Sequence, residues 1–196
     1  MRIRNFRRIL ALGIGALLLS GSLAASPLSR PAIEGAATTP YSLASQKEAS
    51  DLLAEMKKLT YDLSRNADTL AGLARGNQVG RQTHANYLNV VRGHVNELGD
   101  RLERLQAIKH ATAPWQQQAI DRMVPAAVEL AGRTEAAINH LNENRQFLST
   151  EPYRDHVGVI TDRADELNES VKAFAEFDQT QQKMERLQEQ LEIAPS

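Results

Sequence analysis

Five histidines carry most of the chemistry this sequence could do: His84, His94, His110, His140 and His156. There is no cysteine. Thiolate metal sites, a cysteine nucleophile, disulfides and CxxCH haem attachment are therefore excluded. An imidazole cluster with carboxylates nearby suits zinc or copper. In a chain of helices running up and down, His84, His140 and His156 come to one end. At 1.5 Å per residue their heights differ by less than about 10 Å. His84 is in phase with an apolar stripe, and His140 and His156 each precede a stripe residue, Leu141 and Val157. Glu143 and Asp155 offer oxygen ligands. The competing reading of the same end is structural. In it Asn66 and Asn144 fix helix register from within the stripe, and the histidines are exposed or locally hydrogen-bonded.

Other chemistry finds less support. His94 and His110 fall off the stripe, and His110 with Trp115 is placed to shape a turn. A b-type haem needs two facing axial ligands. Met56 and Met123 are stripe-phased but lie about 30 Å from the His84 end by the same count. The sequence holds no GxSxG, P-loop, HExxH or GxGxxG, and no paired ExxH of the di-iron bundles. Carboxylates fall on the expected outer helix faces. The expectation is a non-enzyme with no cofactor.

The elements that would position these residues are four long helices. The first runs from about Pro40 or Ser45 to Arg75, with Ser45 and Glu48 forming a capping-box pattern. Its stripe is Ala49, Leu52, Met56, Leu59, Leu63, Asn66, Leu70 and Leu73, and Gly76 suits a left-handed cap. The second runs from about Arg81 to His110 on His84, Leu88, Val91, Val95, Leu98, Leu102 and Leu105. Gly93 and Gly99 either weaken it or mark close approach to a neighbour. Glu97–Arg101 and Asp100–Arg104 are spaced for pairs along its solvated face. The third runs from about Ala113 to Leu148, with Thr112 as N-cap and Pro114 in the first turn. Its stripe is Ile120, Met123, Ala127, Leu130, Thr134, Ala137, Leu141, Asn144 and Leu148. Pro125 lies inside it and predicts a kink or, alternatively, a break into two helices. The fourth, from Pro152 to Leu191, carries Tyr153, Val157, Ile160, Ala164, Leu167, Val171 and Phe174, then shifts phase to Phe177, Met184, Leu187 and Leu191.

Thr38-Thr39-Pro40-Tyr41, Thr112-Ala113-Pro114-Trp115 and Thr150-Glu151-Pro152-Tyr153 repeat one pattern. It reads as internal duplication or as one helix-start chemistry used three times, with the aromatic closing the end of the core. Stripes alternating by three and four are coiled-coil seams that no helix can bury alone. Turns of about two to five residues force antiparallel neighbours. The fold class is all-α: an elongated antiparallel up-down-up-down four-helix bundle over residues 40–193. Two long helical hairpins that splay or dimerise are the alternative.

Residues 1–25 stand apart. Arg2, Arg4, Arg7 and Arg8 precede an apolar run, Ile9 to Leu19, and then small residues from Ser20 to Ala25. This is the order of a signal peptide, and the run is shorter than the roughly 20 residues a spanning helix needs. An uncleaved anchor is the other reading. Residues 26–39 read as a flexible linker. The chain carries 23 Lys and Arg against 24 Asp and Glu, and the first 25 residues hold four of the Arg and no acid, which leaves a net charge of −5. That balance disfavours nucleic-acid binding, and mixed charges along the helices disfavour stable membrane association.

The expectation is therefore an exported, non-catalytic protein of a bacterial periplasm or secreted medium that works through its surface. Phe177, Met184, Leu187 and Leu191 are the expected contact residues for a protein partner or a second copy, with the Pro125 kink as another surface. The alternative is a zinc- or copper-binding bundle with His84, His140 and His156 as ligands. A ligand-sensing domain ranks third, since without a second spanning segment the chain could not signal alone, and the narrow seam separately leaves little room for a large ligand pocket.

Overall fold

The computed structural model describes residues 41–76, 80–144 and 150–193. Four α-helices account for nearly all of them: α1 Leu43–Arg75, α2 Arg81–Ile108, α3 Pro114–Glu143 and α4 Glu151–Ile193. A 3-10 turn, Lys109–Ala111, joins α2 to α3. No strand occurs among the described residues. The signal-peptide and linker segments lie outside them, as does Leu148.

The helices pack in cyclic order, α1 on α2 and α4, α3 on α2 and α4. Polar contacts fix the antiparallel register. Ser50 Oγ donates to Asp178 Oδ1 at 2.8 Å, and Ser64 Oγ to Asp165 Oδ1 at 2.6 Å. Thr161 Oγ1 donates to the Ala67 carbonyl at 3.3 Å. Each step forward on α1 is thus matched by a step back on α4. On the other side Arg163 Nε donates to Glu129 Oε2 at 2.7 Å, and Trp115 meets Phe177 edge-on with ring centroids 5.2 Å apart.

The α2 stripe is buried from His84 to Leu105, and the α3 stripe from Ile120 to Leu141. α3 continues through Pro125 as one helix, so the break is excluded. The other two stripes depart from strict alternation. α1 buries Ala67 and Ala74 where Asn66 and Leu73 were expected. α4 buries Ala175 and Asp178 after Val171, which leaves Phe174 at the flank. Each helix takes one extra step of four, at Leu63–Ala67 and at Val171–Ala175. A helix of 3.6 residues per turn drifts off a 3.5-residue pattern, and a four-residue step resets the phase.

Helix ends differ from expectation in chemically simple ways. α1 is capped by Ser42, not Ser45: the Ser45 N–H donates to Ser42 Oγ at 3.4 Å. Glu48 is instead used by Arg104, at 2.8 Å across to α2. Arg101 likewise crosses to Glu55, at 3.4 Å, and donates at 3.1 Å to the Glu97 backbone carbonyl where its carboxylate was expected. Gly76 ends α1 in an extended conformation, φ −90° and ψ 136°, not a left-handed one. Ala113, not Thr112, precedes α3. Its N–H is taken by Gln116 Oε1 at 3.1 Å, while Thr112 Oγ1 turns back to the Lys109 carbonyl at 2.7 Å. α3 stops at Glu143 with Asn144 as its C-cap. Gly93 is exposed and has no neighbour near its Cα face, so it marks no close approach.

Candidate functional site

The two ends of the bundle are chemically different. At the end where α2 and α4 begin, α4 starts at Glu151 and places Tyr153 inside the core. The Tyr153 hydroxyl lies 3.0 Å from His84 Nδ1, both side chains are wholly buried, and the rings meet edge-on at 5.5 Å. His140 also approaches this ring, tilted by 30° with centroids 5.8 Å apart. Its Nε2 is 2.8 Å from Thr150 Oγ1. His156 is half-buried on the next turn of α4.

His84, His140 and His156 thus lie at the same end of the bundle, as their heights predict. Tyr153, expected there only as a core aromatic, is the hub between His84 and His140. Among the described residues no group of three or more His, Asp or Glu side chains is arranged to hold a metal ion.

Proton accounting fixes the His84 tautomer. If Nδ1–H donated to the phenol oxygen, both the phenol proton and the Nε2 lone pair would be buried without partners. With Tyr153 donating to Nδ1, only the Nε2–H is left over. Burial holds His84 below the usual imidazole range, so it is neutral at pH 7. His156 is lowered as well, chiefly by burial and then by Arg133 and His140, with Asp155 opposing. Burial raises the Tyr153 phenol well above its ordinary value. His84 and Tyr153 therefore form a neutral polar pair inside the core.

Asn66 and Asn144 do not lie in the seam. Asn66 donates to the Asp62 carbonyl at 2.6 Å and sits 3.3 Å from His94 Nε2. Asn144 donates to the His140 carbonyl at 3.0 Å.

No family model matches the chain, and no curated protein or solved structure matches it either.

The opposite end is built by unequal helix lengths. α3 begins level with Phe177 through the Trp115 contact. α1 begins at Leu43, seven residues before Ser50, which is level with Asp178. α4 outlasts both. From Gln182 to Leu191 every residue is exposed. The last internal layer is polar: Asp178 accepts from Ser50 and from Gln182 Nε2 at 2.9 Å, and Gln116 Nε2 donates to Ser50 Oγ at 3.2 Å.

Exposed apolar side chains gather here. Tyr41, Leu43, Phe177, Met184, Leu187 and Leu191 belong to this end, Leu43 at 83% and Leu191 at 76% exposure. Below them a surface groove of about 520 Å³ runs between α3 and α4, with Trp115, Phe174 and Phe177 on its apolar side and Arg122 and Glu166 on its polar side. The four α4 residues expected from the sequence are exposed, whereas this groove was not expected. The signal was Phe174 beside Phe177, which a strict seam had assigned to the core.

Proposed function

We propose that this protein is an exported, non-catalytic helical rod that acts through the exposed end of α4. On this reading residues 1–25 direct export to a periplasm or the medium, and the bundle holds the α4 extension away from the mass of the protein. No helix among the described residues is long and apolar enough to cross a membrane.

The observation that carries the reading is the gathering of exposed apolar side chains where α4 outlasts its neighbours. Exposed apolar surface is unfavourable in water by roughly 25 cal/mol per Å², and clusters of exposed apolar side chains mark interaction sites. The test is a photo-crosslinking residue at Leu187, and as control at Glu189, in producing cells. Discrete adducts from Leu187 and none from Glu189 support the reading. Equal labelling at both, or none at either, overturns it.

A further inference from the structure

We infer that the α4 extension pairs with the same extension of a second copy, antiparallel, to make an end-to-end dimer. The inference rests on the proposed surface role and names its partner. Three observations on this segment converge.

The first is its heptad. Phe177, Met184 and Leu191 fall at a positions, Thr180 and Leu187 at d. Flanking e and g positions are Gln181, Lys183, Gln188 and Gln190, whereas Glu185, Arg186 and Glu189 lie outward. Charged flanks select or reject partners in coiled coils. Here an antiparallel self-pair brings Lys183 against Gln190 and glutamine against glutamine, so nothing repels a second copy.

The second is the shape of the notch. α3 begins level with Phe177, and α4 continues to Ile193. Antiparallel a-to-d layering sets Met184 against Leu187 and Thr180 against Leu191 of the copy, twice each by symmetry. In that register the copy's α4 extension runs beside the Lys109–Ala111 turn that tops α3, whose Ala111 carbonyl accepts from the Ser42 N–H at 3.0 Å, and the copy's own α3 begins only where the first α4 ends. The two α1 starts, with exposed Leu43 and Tyr41, arrive at nearly the same height. A parallel pair would instead drive the two α3 helices into each other, because Trp115 and α3 occupy the Phe177 face lower down.

The third is exposure. Met184, Leu187 and Leu191 have no cover within the chain's described residues, and such a seam is stable only when paired.

The experiment uses the protein purified in the form that accumulates in producing cells. In sedimentation velocity the mass should rise from one chain to two with concentration. Met184→Ser with Leu187→Ser should hold it at one chain while circular dichroism shows an unchanged bundle. Because the chain has no cysteine, orientation can be read directly. A Met184→Cys chain mixed with a Leu187→Cys chain should give the mixed disulfide in large excess over either homodimer. Met184→Cys homodimers in excess overturn the antiparallel register. A single-chain mass at every concentration overturns self-pairing. In that case Leu187 photo-adducts to another protein would keep the surface role, and their absence would end both.

Discussion

The Tyr153 hydroxyl hydrogen-bonds to His84 Nδ1 across 3.0 Å, and both side chains are wholly buried in a largely aliphatic core. One hydrogen bond therefore joins the second helix to the fourth where the three histidines meet. A buried polar group left without its partner costs about 1–3 kcal/mol. Tyr153→Phe should destabilise the bundle by about that much, read by urea unfolding. Replacing both partners, Tyr153→Phe with His84→Leu, should cost less than Tyr153→Phe alone, because no orphan then remains. A single variant as stable as the wild type would show that the pair contributes nothing.

The same cluster sets a pH dependence. His84 and His156 have folded values below the ordinary 6.5. The unfolded chain then binds more protons, so stability is full above that pH and is lost as pH falls through and below it. At the alkaline edge the sign reverses. Tyr153 keeps its proton in the fold above the ordinary 10.0, so stability is lost as pH rises past about 10. Urea midpoints measured from pH 5 to 8 should rise with pH, and His84→Leu should flatten that rise. A midpoint that falls as pH rises from 5 to 8 would reverse the assignment.

Metal binding is the sharpest alternative at this end. His84 spends Nδ1 on Tyr153, and His140 spends Nε2 on Thr150. Zinc or copper would have to displace these bonds or use what remains. Calorimetric titration should give the same small heats for the wild type and for His140→Ala with His156→Ala. A stoichiometric heat in the wild type that the double variant loses would instead establish a metal centre.

The four helices were legible in the sequence because their stripes are long and their ends carry Pro, Gly or Ser. The α2 stripe was read residue for residue. The α1 and α4 stripes were misread near Asn66 and Phe174, because both helices reset phase by a four-residue step that side-chain type alone does not announce. Ala67 and Ala175 fill the seam at those steps, and small residues give a weak hydrophobic signal beside Leu73 or Phe174. The heights of His84, His140 and His156 followed from chain topology. The Tyr153 bond did not, since it depends on the angle at which α4 enters the core. The exposure of Met184, Leu187 and Leu191 follows from differences in helix length that only the paired register of Ser50 with Asp178 and Trp115 with Phe177 makes visible.

The account turns on α4 beyond Asp178 being a contact element and not part of the core. A chain ending after Gln182 tests this most directly, by thermal unfolding and sedimentation on the same sample. The account predicts a melting temperature within a degree or two of the full chain, because the removed residues up to Leu191 are all exposed, together with loss of the two-chain species. A chain that unfolds on truncation, or one that still associates, would contradict it.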